Sequence, residues 1–148
     1  MAVAASRRTL VFVFGTLKQG FPNFAVNRGR RVAGVFRTMQ PHPLYLVGER
    51  CVPWMIDAAG SGQCVAGELY EVDAAALAAM DELEGLGRSD GYHRKALQVQ
   101  AADATVVMAQ VYMKPTEQVV QGDVRIGPLA EYTLEHAALY RKRGEQAY

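Results

Sequence analysis

The chain has 148 residues, of which 50% are hydrophobic and 21% are charged, a size and composition typical of one globular domain with a buried core. Sixteen basic residues against fifteen acidic ones give a net charge of +1. This balance gives no electrostatic reason to expect nucleic acid or an anionic membrane as a partner. We therefore expect a single domain over residues 1–148, with a loose N-terminal tail at 1–7.

The cellular setting is predicted from cysteine content and hydrophobic run length. The two cysteines, Cys51 and Cys64, are too few for a disulfide scaffold. No apolar run reaches the length of a membrane span, and no signal-peptide pattern follows the short basic start of the chain. These observations predict a protein of the reducing cytosol.

Short apolar segments bounded by turn residues predict a sheet with few helices. The predicted strands lie at Leu10–Phe14, Arg31–Met39, within 41–48, and at Cys51–Ile56, Cys64–Val72, His93–Gln100 and Thr105–Met113. Pro53 places the fourth strand at a sheet edge or bulge. A helix is predicted over Ala74–Glu84, with Asp73 as N-cap and Gly85 as the C-terminal cap, and a short helix within Pro128–Arg141. The order indicates an α+β domain on a small, partly closed sheet, because the βαβ alternation of a Rossmann fold is missing.

The first predicted strand runs into a glycine turn, Gly15-Thr16-Leu17-Lys18-Gln19-Gly20. Backbone N–H groups exposed where a buried strand breaks can hold a carboxylate or a developing oxyanion. The turn lacks the Gly-Lys-Ser/Thr ending of a Walker motif, so nucleotide binding is not supported. The alternative interpretation is simple chain reversal, the most common use of glycine at the end of a strand.

The predicted helix Ala74–Glu84 directs one carboxylate toward the core. Its apolar face consists of Ala76, Leu77, Met80 and Leu83. At 100° per residue, Glu84 falls within about 50° of the centre of that face, whereas Asp81 lies at the margin and Glu82 points almost the opposite way. Burial and the negative end of the helix dipole both raise the pKa of an inward Glu84 toward neutrality, as general acid–base catalysis requires. The alternative is a frayed helix end with Glu84 in water.

Other residues that could carry chemistry show no motif. His42, His93 and His136 lack the spacing of zinc ligands, so no metal site is expected. Nothing in the spacing favours Cys64 and His93 as a nucleophile and its base, and Cys64 occupies a position typical of a strand core. Ser61 lies between two glycines but outside a Gly-x-Ser-x-Gly elbow.

Several segments together resemble the gamma-glutamylcyclotransferase-like superfamily, and within it the gamma-glutamylamine cyclotransferases and AIG2-like proteins. The first is Val13-Phe14-Gly15-Thr16-Leu17-Lys18-Gln19-Gly20, followed by Pro22-Asn23. The others include Gly67-Glu68-Leu69-Tyr70-Glu71-Val72-Asp73, Asp81-Glu82-Leu83-Glu84-Gly85 and Tyr92-His93-Arg94. Each segment is weak alone, but the combination is specific and covers about Leu10 to Met113.

The resemblance implies a small mixed β-barrel flanked by short helices. It also implies cleavage of a gamma-glutamyl amide by the substrate's own α-amino group, which yields 5-oxoproline and a free amine or amino acid without a metal or organic cofactor. Glu84 occupies the position of the family's catalytic acid/base, and Phe14, Gly15, Thr16 and Leu17 occupy that of its substrate-binding loop. The family usually has tyrosine where this chain has Phe14, and a hydrogen bond missing there costs about 1 kcal/mol.

Three functions are compatible with this sequence. The first is a cyclotransferase acting on gamma-glutamyl amines, such as gamma-glutamyl-ε-lysine, or on gamma-glutamyl amino acids, with the small-molecule substrate as its partner. The alternative is a small-molecule binding module of the same fold with weak or no catalysis, for which Phe14 is the only sequence support. The third is a protein-interaction domain using the basic residues Arg141–Arg143, although such clusters are usually solvated surface.

Overall fold

The computed structural model describes residues 8–119 and 123–142. The predicted tail at 1–7 and Arg143 of the basic C-terminal cluster lie outside the described residues. The strands are β1 (Thr9–Val13), β2 (Arg30–Thr38), β3 (Leu44–Val47), β4 (Val52–Met55), β5 (Ala66–Val72), β6 (His93–Ala101), β7 (Val106–Met113) and β8 (Val124–Ile126). The α-helices are α1 (Ala74–Leu83) and α2 (Leu134–Ala137).

Five strands close into a barrel in the order β1-β5-β2-β6-β7. Neighbouring strands are antiparallel except where the barrel closes, because there β1 runs parallel to β7 with Val11 opposite Gln110. The remaining strands form an antiparallel sheet of three in the order β4-β3-β8. The mixed barrel with its few short helices confirms the predicted fold class. Pro53 lies on the edge strand β4, also as predicted.

Two apolar clusters share the wall formed by β1. Phe12 faces the barrel core, which also contains Leu69 and Val111. Val11 and Val13 belong instead to the cluster that packs the wall against α1. Since both faces of β1 are buried, its sequence is an uninterrupted apolar run instead of an alternating one. The strand therefore holds the turn that follows it in a fixed place.

Strand β2 contains a bulge. Its pairing with β5 shifts between Val32 and Phe36, and Gly34 between them has a φ of 101°, a left-handed conformation that glycine adopts without steric cost. Beside the bulge, Val35 is 54% exposed and Phe36 is 4% exposed, as expected for neighbouring residues that point to opposite faces of a strand. The loose alternation of the β2 sequence reflects this bulge.

The short C-terminal helix predicted within Pro128–Arg141 is Leu134–Ala137. One expectation needs correction, and one strand was not predicted. Cys64 is only partly buried and precedes β5, so its predicted place in a strand core is wrong. Strand β8 was not predicted, because it is three residues long and forms only through pairing with the distant β3.

In the described part of the chain, no helix has the length and apolar character that a membrane crossing requires.

Candidate active site

A cavity of about 920 Å³ lies where the end of β1, strand β4 and the end of α1 meet. The predicted site residues Phe14, Gly15, Thr16, Leu17 and Glu84 all line it. The fold thus brings the glycine turn and the helix carboxylate, which are far apart in sequence, to one cavity. Its volume falls in the range of small-molecule binding sites.

The turn after β1 leaves its first backbone donors open. The Lys18 N–H donates to the Gly15 carbonyl at 3.1 Å and closes the turn. A side chain at Gly15 has no room, because a Cβ there would lie 2.9 Å from Pro53 Cγ. None of the described residues accepts a hydrogen bond from the backbone N–H of Gly15, Thr16 or Leu17. Because these three residues line the cavity, their N–H groups are candidate donors to a ligand there.

The carbonyl side of the same turn is held by two asparagines. The Asn23 N–H donates to the Thr16 carbonyl at 2.8 Å, and Asn23 Nδ2 donates to Thr16 Oγ1 at 2.9 Å and to Tyr140 Oη at 3.2 Å. Asn27 Nδ2 donates to the Leu17 carbonyl at 3.0 Å. Tyr140 also lines the cavity. The C-terminal segment therefore helps to fix the turn, a role that the sequence did not reveal.

Lys18 belongs to the glycine turn, and its side chain is buried next to the site. It is 4% exposed, and its Nζ donates to the Tyr132 carbonyl and lies 4.3 Å from the centroid of the Phe21 ring. Burial lowers the pKa of Lys18, while the nearby Glu131 and Glu68 raise it. Lys18 thus contributes to packing next to the site.

Glu84 ends helix α1. Its N–H donates to the Met80 carbonyl at 3.0 Å, and Gly85 follows with a φ of 66°, which confirms the predicted glycine cap. Ala76 and Met80 are buried as predicted. Leu83 is 40% exposed, so its predicted place on the buried face is wrong. The reason is that the last turn of α1 borders the cavity instead of the barrel wall.

The electrostatic environment of Glu84 suits proton transfer. Burial raises the pKa of Glu84 to about 7, and the positive charge of Lys114 acts in the opposite direction. No described residue forms a hydrogen bond with its carboxylate. A carboxyl group that titrates near neutral pH in a cavity can both accept and deliver a proton.

The two other carboxylates near this helix end are Asp81, which is hydrogen-bonded to neighbouring side chains, and Glu82, which is exposed to solvent. Asp81 accepts hydrogen bonds from Arg94 Nε at 3.0 Å, from Arg94 Nη2 at 3.3 Å and from Tyr112 Oη at 2.5 Å. Burial and this bond to Asp81 raise the pKa of Tyr112, which keeps its hydroxyl protonated. Glu82 is exposed. The arrangement leaves Glu84 as the carboxyl of α1 best placed for acid–base chemistry.

Tyr92 connects the two halves of the site. Its N–H donates to the Glu84 carbonyl at 2.9 Å. Its hydroxyl donates to the Pro53 carbonyl, also at 2.9 Å. Because Pro53 packs against Gly15, the helix end, the edge strand β4 and the glycine turn are held at fixed separations.

Sequence reasoning missed Lys114, which directly follows β7 and is 3% exposed. Its Nζ lies 4.4 Å from the ring centroid of Trp54 and 4.5 Å from that of Tyr92. It donates to the Asp90 carbonyl at 2.6 Å and to Gln118 Oε1 at 3.0 Å. No local pattern marks this lysine, since its surroundings come from separate segments of the chain.

The histidines are dispersed in the structure. His42 is 1% exposed, His93 Nε2 lies 3.1 Å from Asp57 Oδ2, and His136 Nδ1 accepts from the Thr133 N–H at 3.0 Å. Within residues 8–119 and 123–142, no group of three or more His, Cys, Asp and Glu residues is placed to hold a metal ion.

The chain matches the model of a known protein family. The model of the family described as gamma-glutamyl cyclotransferase, AIG2-like, matches residues 11–143. The chain therefore belongs to this family.

Individual relatives agree with this assignment. The chain is 39% identical to the gamma-glutamylaminecyclotransferase of Homo sapiens over 72% of each chain. It is 41% identical to that of Rattus norvegicus over 63% of this chain and 64% of the rat protein. The crystal structure of an AIG2-like protein from Mus musculus has a TM-score of 0.82 and 32% identity, covering 95% of this chain and 99% of that one. The relatives' names support a cyclotransferase of this family.

Proposed function

We propose that the protein is a gamma-glutamylamine cyclotransferase, which converts gamma-glutamyl amines such as gamma-glutamyl-ε-lysine to 5-oxoproline and a free amine. The observation that carries this proposal is the meeting of Glu84 with the open N–H groups of the Gly15–Leu17 turn at one cavity. The names of the human and rat relatives point to the same substrate class.

Glu84 is the general acid/base in this proposal. The α-ammonium group of the substrate cannot attack until it loses a proton, and a carboxylate with a pKa near 7 can accept that proton. The freed amine then attacks the γ-carbonyl carbon of the same molecule. The new C–N bond closes the five-membered lactam, the original amide C–N bond breaks, and Glu84 returns the proton to the leaving nitrogen. The ring nitrogen still carries one proton more than a neutral lactam, and Glu84 passes this second proton to the departing amine, which leaves as an ammonium ion.

The glycine turn holds the substrate in this proposal. Its backbone N–H groups can bind the α-carboxylate or stabilise the oxyanion of the tetrahedral intermediate. Since ring closure is intramolecular, much of the rate enhancement comes from keeping the glutamyl chain folded. A metal or organic cofactor has no step to perform in this sequence.

The remaining walls of the cavity suit an attached amine. Trp54 and Leu83 line it and offer apolar contact to an aliphatic chain. At the rim Arg88 Nε lies 3.4 Å from Asp90 Oδ1, so groups of both signs are available to a zwitterionic end. This composition favours gamma-glutamyl-ε-lysine over a substrate with a short leaving group.

The test is 5-oxoproline release by the purified protein from gamma-glutamyl-ε-lysine and from gamma-glutamyl amino acids. We expect the higher kcat/KM for gamma-glutamyl-ε-lysine. A preference for gamma-glutamyl amino acids would overturn the proposed substrate class. Binding of both ligands in calorimetry without release of product would instead favour the alternative, a binding module, for which the buried Phe14 in the cavity wall is the supporting observation.

A further inference from the structure

The loop that follows α1 is held by two side chains from beyond β7. Lys114 Nζ donates to the Asp90 carbonyl at 2.6 Å. Gln118 Nε2 donates to the carbonyls of Ser89 and Gly91, both at 3.0 Å, while its Oε1 accepts from Lys114. Three consecutive carbonyl groups are therefore bound by this pair.

This loop is directly attached to the proposed acid/base. Residues 85–91 lead from Glu84 to Tyr92, and the Tyr92 N–H returns to the Glu84 carbonyl at 2.9 Å. The loop is so tightly closed that a Cβ at Gly91 would lie 1.9 Å from the Gly85 oxygen. Anchoring its far end consequently restrains the backbone of Glu84.

The lysine also joins the loop to the cavity wall. The rings of Trp54 on β4 and Tyr92 both lie within 4.5 Å of Lys114 Nζ, measured to their centroids. A cation partly desolvated against two aromatic faces is in a favourable contact. Lys114 itself lines the cavity that contains Glu84.

The other charged groups near Glu84 are paired, neutral, exposed or at the border of the cavity. Asp81 of α1 is paired with Arg94 of β6, and Arg88 lies beside Asp90 in the loop. Tyr92 and Tyr112 have raised pKa values and are uncharged, Glu82 is exposed, and Arg50, Tyr140 and Lys142 border the same cavity.

We propose that Lys114 is a positioning residue of this site, which fixes the 89–91 loop against the aromatic wall and places a positive charge near Glu84. The inference rests on the proposed function, in which Glu84 is the acid/base. Two consequences can be separated. Loss of the charge alters the protonation of Glu84, whereas loss of the anchor disturbs its position only.

The experiment compares the natural protein with Lys114→Met, Lys114→Arg and Gln118→Ala. The pH profile of kcat/KM for 5-oxoproline release is measured for each, together with the pKa of Glu84 by carboxyl ¹³C NMR. Because the Lys114 charge lowers the pKa of Glu84, we expect Lys114→Met to move the acidic limb and the NMR titration upward by about one pH unit. That shift reduces kcat/KM at pH 7 about fivefold.

The other two variants distinguish charge from anchoring. We expect Lys114→Arg to keep the titration within about 0.3 pH unit of the natural protein, since the charge is retained. Gln118→Ala should lower kcat/KM severalfold with the titration unchanged. If Lys114→Met does not fold, Lys114→Gln takes its place with the same expected shift, because glutamine is also uncharged.

The Glu84 titration tests the role of Lys114, whereas 5-oxoproline release tests the proposed function. A Glu84 titration that does not move upward in a folded Lys114→Met or Lys114→Gln variant would overturn the role of Lys114, even with 5-oxoproline release intact. An upward shift in the NMR titration would support the role, even if no gamma-glutamyl compound is turned over, in which case the proposed function alone is wrong.

Discussion

At the scale of single residues, the raised pKa of Glu84 sets the expected pH dependence. Glu84 must be deprotonated to accept the proton of the substrate's α-ammonium group, and burial raises its pKa to about 7. We therefore expect kcat/KM to fall about tenfold for each pH unit below 7. The measurement is kcat/KM for 5-oxoproline release between pH 5 and 9. A profile that is flat or rises toward acid would contradict the role.

Phe14 is a second residue whose chemistry can be tested. It is 6% exposed and lines the cavity, at the position where the family resemblance implies a tyrosine. If the tyrosine hydroxyl bonds the substrate, Phe14→Tyr gains about 1 kcal/mol, or roughly fivefold in kcat/KM. Phe24→Tyr, outside the cavity lining, is the matched control. An unchanged or lower kcat/KM in Phe14→Tyr would show that the hydroxyl has no use here.

At the scale of elements, the glycine turn depends on close packing against β4. A Cβ at Gly15 would lie 2.9 Å from Pro53 Cγ, and the proline is fixed within a strand. We expect Gly15→Ala to displace the turn and to raise KM about tenfold, while the melting temperature changes little. Michaelis kinetics and thermal unfolding check this together. A KM equal to that of the natural protein would argue against the turn as the substrate-holding element.

The C-terminal segment is predicted to support the same turn. Tyr140→Phe removes the hydrogen bond from Asn23, which costs about 1 kcal/mol and should raise KM about fivefold. Leu139→Ala changes the exposed neighbour and serves as the control. Equal KM values for the two variants would mean that the segment is not needed to position the turn.

The elements also show what local sequence can and cannot predict. The caps of α1 were predictable, because Asp73 accepts from the Ala76 N–H at 2.8 Å and Gly85 adopts a left-handed φ, both local effects. Strand β8 and the surroundings of Lys114 were not, since each depends on contacts between segments far apart in the chain. The inward Glu84 was found because helical periodicity is local, but its meeting with the glycine turn requires the closed barrel.

At the scale of the whole molecule, the site carries a stability cost that depends on pH. The pKa of Glu84 is raised in the folded protein from 4.5 to about 7, so the folded state holds an extra proton between these values. The contribution of Glu84 to the free energy of unfolding is therefore lost as the pH rises from 4.5 to 7. We expect Glu84→Gln to raise the melting temperature relative to the natural protein more at pH 8 than at pH 5.

Thermal unfolding at the two pH values checks this without any substrate. Glu71→Gln is the matched control, because Glu71 lies on β5 and pairs with Arg30 outside the cavity. A difference between Glu84→Gln and the natural protein that stays constant, or shrinks toward pH 8, would contradict the raised pKa of Glu84.

The function proposed for this cavity depends on Glu84 as its acid/base. The decisive measurement is the rate of 5-oxoproline release from gamma-glutamyl-ε-lysine by Glu84→Gln at pH 8, beside the natural protein and Glu71→Gln. We expect at least a hundredfold loss in Glu84→Gln and the full rate in Glu71→Gln. A full rate in Glu84→Gln would contradict the assignment of Glu84 as the acid/base.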